Sequence, residues 1–180
     1  MKALTDYYIQ IGKSVTEIKS AHISDREYLE SCFQAIANHE EILSNRLFDF
    51  LLSRRNSIKV IGSESSSKHE RVPTSKFFKH YSIFYKILIV FLIVSFVVRG
   101  YDSKDICEYL SNRKIAAKYG ECYCKRMTDY LNLSHTWGSQ NGVVRISMVH
   151  YNSLEDVDRL VTELTKAIDD LAQYPGTESQ

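Results

Sequence analysis

Residues 143–164 read VVRISMVHYNSLEDVDRLVTEL, and the fold turns on how they are parsed. Residues 143–149 have the apolar, β-branched character of a strand, and strict alternation puts Val143, Arg145, Ser147 and Val149 on one face. From Ser153 the period changes. Leu154, Val157, Leu160, Val161, Leu164, Ile168 and Leu171 recur at helical spacing, and Ser153 is the natural N-cap. A strand passes directly into an amphipathic helix, and the two must share a core.

Working outward, the same logic divides the rest of the chain. Residues 24–55 predict a long amphipathic helix. Ser24 and Glu27 form a capping box, and Leu29, Phe33, Ile36, Leu43, Leu47 and Phe50 supply the apolar stripe. A shorter helix precedes it near residues 3–11. Residues 57–61 (SIKVI) predict a strand ended by Gly62, and residues 95–98 a second one before the turn residues Gly100 and Asp102. Asp102 or Ser103 caps a helix to about residue 113. Residues 115–119 form a short strand stopped by Gly120, residues 121–131 a short helix or turn, and residues 132–141 a polar loop carrying Trp137, the only tryptophan. Helices first, then strands and helices in alternation, give an α+β fold: a small mixed sheet with helices packed on one face, preceded by a long helix.

Composition bounds the function. The chain has 180 residues, 44% of them apolar, enough for one real core. Twenty-three basic against 22 acidic residues leave a net charge of +1, which gives no reason to expect nucleic acid as a partner. Four cysteines do not make a disulfide scaffold, and the first thirteen residues lack the apolar core of a secretory signal, so a reducing, cytoplasmic setting is the expectation.

Residues 75–98 break the pattern: SKFFKHYSIFYKILIVFLIVSFVV. Residues 87–98 are twelve without a charge, with Ser95 the only polar one. Twelve is short for a spanning helix, which needs roughly 17–25 residues. Extending back to Tyr81 gives eighteen but includes Lys86. A membrane span, a buried strand with an apolar lead-in, and an intrusion foreign to the fold all fit. In the third reading residues 81–98 form one continuous apolar element that does not join the sheet.

Arg145 is the most informative single residue. An arginine in the middle of a strand needs a partner, because an unpaired buried charge is costly, and a carboxylate fits its planar fork. The partner is either an acidic residue of this chain or a ligand. Cys122 and Cys124 flank Tyr123, with Lys118, Lys125 and Arg126 near enough in sequence to lower a thiol pKa. Metal binding by this pair with His135, His150 or Cys107 lacks the second spaced ligand pair of a zinc site, so no metal is expected. His39-Glu40 on the long helix reads as a solvated or interhelix pair. His150-Tyr151-Asn152 reads as strand-to-helix punctuation.

Gly142, Val144, Arg145, Ser147, His150, Tyr151, Asn152, Glu155, Val157 and Asp158 together resemble the C-terminal strand and helix of class V aminotransferases, fold-type I enzymes that use pyridoxal phosphate. The match is best with the cysteine-desulfurase-like branch: Gly-x-Val-Arg-x-Ser, then His-Tyr-Asn, then Glu-x-Val-Asp. His39-Glu40, the strand with Gly62, Arg71-Val72-Pro73-Thr74, Ser95-Phe96-Val97-Val98 and Gly120-Glu121-Cys122-Tyr123 agree in order. The resemblance implies the C-terminal small domain of such an enzyme, acting on an amino acid within a homodimer. It implies that Arg145 binds the substrate α-carboxylate and that Cys122 or Cys124 is a candidate sulfur acceptor, although their spacing from Gly120 differs by one residue from the desulfurase pattern.

Two departures shape the expectation. The Schiff-base lysine of the family and the residues around it have no counterpart in this chain, which is therefore expected to be inactive alone. The family also runs from its Val-Pro-Thr turn almost directly into Ser-Phe-Val-Val, whereas here residues 75–94 intervene. The organisation expected is residues 1–74 as helices and first strand, 75–94 as an apolar insertion, 95–172 as the remainder of the domain and 173–180 as a tail. The insertion resembles a retained intron, since Ser75-Lys76 can be encoded by a sequence containing GTAAG. Alternatively it makes the protein a non-catalytic, membrane-associated one anchored by residues 81–98.

Overall fold

Four strands, in the order β1-β2-β4-β3, form the sheet. A computed structural model describes residues 2–16, 23–62, 64, 92–121 and 125–173. In chain order the elements are α1 (Lys2–Val15), α2 (Asp25–Ser53), β1 (Ile58–Ile61), β2 (Leu92–Val98), α3 (Ser103–Asn112), β3 (Lys118–Gly120), α4 (Lys125–Tyr130), α5 (Leu133–Trp137), β4 (Val143–Met148) and α6 (Leu154–Gln173). The expected α+β architecture is present. All three ladders are antiparallel rather than mixed, and the single parallel pairing is an isolated bridge between Gly120 and Gly142.

Alternation along the strands sorts the sheet into two faces. One carries Ile58, Val60, Val94, Phe96, Val98, Val144, Ile146 and Met148. It packs on Leu43, Leu47 and Leu51 of α2, Ile106 and Leu110 of α3, and Val157, Leu160 and Leu164 of α6. Among the described residues the other face is only half covered, where Leu133 of α5 joins Val97 and Val143, with Ile61, Leu131 and Trp137 alongside.

Both long helices begin as their sequences require. Ser24 Oγ accepts from Glu27 N–H at 3.3 Å while Ser24 N–H donates to Glu27 Oε2 at 2.8 Å. Ser153 and Asp156 make the same reciprocal pair at the start of α6, at 3.2 and 3.0 Å. Outside this layer α1 lies on α2, with Tyr8 against Phe33 at 5.2 Å. A Cβ on Gly12 would stand 2.0 Å from the Tyr28 carbonyl oxygen, so only glycine allows the two backbones to approach this closely.

Several boundaries differ from the sequence reading. β2 starts at Leu92, and Leu92, Ile93 and Val94 pair with Met148, Ser147 and Ile146. The end of the apolar run is therefore a central strand, hydrogen-bonded on both sides, and residues 92–98 do join the sheet. β3 begins only at Lys118, and residues 133–137 form a helix where a polar loop was expected. Residues 65–91, which hold most of the 75–94 insertion and the first part of the 81–98 membrane reading, lie outside the described residues. Among the described residues no helix is long and apolar enough to cross a membrane.

Candidate substrate-binding face

The open half of the second sheet face is organised around Arg145. With Val144 and Ile146 turned into the core, Arg145 and Ser147 are left on the opposite side. The register places Ser95 of β2 and Lys118 of β3 directly beside Arg145, one on each flank. Cross-strand neighbours in an antiparallel sheet share a face, so the three form one row.

The Arg145 Nε is buried and has no hydrogen-bond partner among the described residues. Among the described residues no carboxylate forms an ion pair with its guanidinium. Other arginines are paired: Arg26 with Glu30, Arg46 with Asp158, Arg54 with Asp169, Arg55 with Glu64 and Arg113 with Glu163. Arg99 lies over the Trp137 ring, 4.6 Å from its centroid.

The start of β4 is fixed by groups that sequence reading treated only as helix caps. Asp102 caps α3 by accepting from Lys104 N–H at 2.8 Å. Its carboxylate also accepts from Gln140 N–H at 2.9 Å and from the backbone and side-chain N–H groups of Asn141 at 3.1 and 3.0 Å. The buried hydroxyls of Ser103 and Ser139 lie 2.8 Å apart and reach the Gly142 carbonyl at 3.0 and 2.7 Å. A Cβ on Gly142 would fall 2.4 Å from the Gly120 carbonyl carbon, so β3 and β4 cross there backbone to backbone. Arg145, three residues on, inherits this rigidity. The register that brings Lys118 to it is tertiary, which is why strand periodicity alone missed Lys118.

The far end of β4 is tied to the outer helices. Tyr7 Oη and His150 Nε2 are 2.9 Å apart, and His39 Nε2 lies 2.8 Å from the Asn152 carbonyl. Asn152 Oδ1 accepts from Val149 N–H at 2.9 Å. His150-Tyr151-Asn152 therefore clamps α1 and α2 to the strand end as well as punctuating it. Glu40, expected to be a solvated or interhelix residue, is buried on α2; its Oε2 meets no donor, and burial pushes its carboxyl up to about 7.

Cys122 and Cys124 lie outside the described residues. The structure follows the chain to Glu121, just past the Gly120–Gly142 crossing. Cys32 and Cys107 are buried and form no disulfide, and burial raises the pKa of the Cys32 thiol. Among the described residues no three His, Cys, Asp or Glu side chains come together as a metal site. Every described lysine is exposed except Lys59, half-buried with its Nζ 5.8 Å from the Trp137 centroid.

Residues 91–160 match the family model described as Aminotransferase class-V. The chain is 34% identical over 134 residues to the aminotransferase-like protein FGM3 of Gibberella zeae, covering 73% of this chain and 27% of that protein. It is 29% identical over 135 residues to the cysteine desulfurase-like protein ustD of Aspergillus flavus, covering 74% and 26%. The chain thus spans about a quarter of the length of these relatives. Among solved structures, an apo cysteine desulfurase from Thermococcus onnurineus NA1 superposes with a TM-score of 0.52 at 21% identity, over 81% of this chain and 29% of that one. A protein described as NIFS-like gives 0.51 at 16% identity, over 81% and 32%, and these two likenesses are of fold. Through β2, β4 and the start of α6 the chain thus matches the class-V aminotransferase family in sequence, and it is similar to aminotransferase-like and cysteine desulfurase-like relatives over about three quarters of its length.

Proposed function

We propose that this chain provides the carboxylate-recognition face of a pyridoxal-phosphate-dependent enzyme acting on an amino acid, with Arg145 as the anchor for the substrate α-carboxylate. The observation that supports this reading is the buried, unpartnered Nε of Arg145. A guanidinium stays charged, and leaving its N–H unmet costs about 1–3 kcal/mol. A carboxylate arriving on the open face would supply two acceptors in the plane of the fork. The Asp102 and Ser103–Ser139 bonds fix the start of the strand that carries the arginine, so binding need not order that backbone first.

The family implies pyridoxal phosphate, which when bound supplies an electron sink for reactions at an amino-acid Cα. The described residues do not form a seat for it, since the anchoring lysine of such a seat must be enclosed beside the cofactor and the described lysines are not. The contribution assigned to this chain is binding and orientation. As the family implies, the complete enzyme would be a homodimer, with Cys122 or Cys124 as the candidate sulfur acceptor.

The test is a titration of the full chain with alanine by NMR, following the Arg145 Nε–H signal in the unaltered chain and the backbone amides of Ser95 and Ser147 in the unaltered chain and in variants alike. A saturable shift is expected, with affinity falling about ten- to hundredfold in Arg145→Ala and recovering only in part in Arg145→Lys. An Arg145 signal indifferent to alanine would remove the residue from the site.

A further inference from the structure

The row through Arg145 holds a second cation. Lys118 stands directly opposite it across the β3–β4 ladder, with Ser95 on the other flank. Like charges placed opposite one another on a sheet repel. Among the described strand residues no acid stands between or beside these two. The neighbouring row on one side is Lys59, Val97, Val143 and Gly120, and on the other side Ile93 pairs with Ser147. Lys118 has no ion-pair partner among the described residues. Glu108, which lines the shallow hollow at the β3 edge with Lys118, is 3.8 Å from Lys104, and Glu121 is bonded to Lys125 at 2.8 Å. The row through Arg145 thus presents two cations side by side, with the Ser95 and Ser147 hydroxyls nearby and Lys59 apart from them at the Trp137 ring, and among the described residues the face carries no carboxylate.

We infer that Lys118 is a second anion contact of the same site, and that the ligand is an amino acid whose side chain carries a second carboxylate. This inference rests on the reading of Arg145 as the α-carboxylate anchor. Arg145, half-buried on the central strand β4, takes one carboxylate by its fork; Lys118, a flexible point charge at the exposed edge, takes the other. The division explains why two like charges are kept side by side: the dianion supplies the negative charge that the sheet lacks.

Succinate and butyrate, equal in carbon count and differing by one carboxylate, are the probes, with the full chain titrated by NMR at low salt. Succinate is expected to bind roughly three- to tenfold more tightly, a margin set by an exposed, solvent-screened lysine. Lys118→Met should bring succinate down to the butyrate level while leaving butyrate unchanged, and Lys118→Arg should keep the preference. Arg145→Ala should weaken both. Equal affinity for the two acids in the unaltered chain, or a Lys118→Met change that weakens both alike, would overturn this inference and leave the Arg145 reading standing. Binding of inorganic phosphate in preference to succinate would replace the dicarboxylate with a phosphate ligand and overturn it as well. If neither acid moves the Arg145 signal, the Arg145 reading itself fails, and this inference with it.

Discussion

Glu40, buried, and Arg145, half-buried, each hold a buried polar atom with no partner among the described residues, but they carry different consequences. The open face gives Arg145 access to a ligand. Glu40 lies inside the helix layer, and its carboxyl is pushed from 4.5 to about 7 by loss of water alone. A carboxyl whose pKa is higher in the folded than in the unfolded chain holds its proton longer when folded. Stability therefore falls as pH rises from about 4.5 to about 7 and is level above that, the loss being on the order of 2–3 kcal/mol. Glu40→Gln should leave the melting temperature nearly unchanged at pH 4.5 and raise it by several degrees at pH 8, as read by thermal denaturation at the two pH values. An equal gain at both would mean that Glu40 does not titrate in this window. Neither burial could be read fully from residue type. The alternation around Arg145 disclosed its face, because strand period is local. The side of α2 that Glu40 occupies depends on what packs over it.

Among the elements, β4 and α6 were legible because each obeys one period over its whole length and the change of period falls at Ser153. The start of β2 was not. Residues 87–98 are apolar without interruption, and nothing in such a run marks where pairing begins. Leu92–Val98 became a strand because β1 and β4 flank it. Nor was α5 visible, since its five residues start at the left-handed Asn132 with no side-chain cap and are held by Leu133 against Val97 and Val143. The close contact of α1 with α2 was equally hidden, as a glycine in a helix signals nothing about its neighbour. That contact makes Gly12→Ala a sharp probe. The added methyl meets backbone, which cannot rotate away, so a loss of about 1–3 kcal/mol is expected, with α1 displaced from α2. Limited proteolysis should then cut within α1 faster than in the unaltered chain, while the sheet stays folded.

For the molecule as a whole, the connection between β1 and β2 is the longest in sequence between two paired strands that adjoin in the chain. Ile61, the last residue of β1, pairs with Ser95, three residues inside β2, and residues 62–91 connect the two strands. Closing so short a gap needs only a few residues, and the entropy of a longer connection grows slowly with length. Deleting residues 75–91 should therefore preserve the fold and change stability by no more than about 1 kcal/mol. Extending the deletion to residue 94 removes three register pairs and the fully buried Val94, and should cost at least about 2 kcal/mol. Denaturant unfolding of the two variants separates these outcomes. Equal loss in both would show that residues 75–91 contribute to the core.

The Asp102 carboxylate, bonded to amides 2, 38 and 39 residues away in the chain, makes distant parts of the fold open together. The helix cap of α3 and the approach to β4 should then behave as one cooperative unit in hydrogen exchange. In Asp102→Ala the Lys104, Gln140 and Asn141 amides should all lose protection at once, by a common factor, while Val144 in the strand exchanges as before. A single side chain would thereby set the timescale on which the Arg145 strand is released at its leading end.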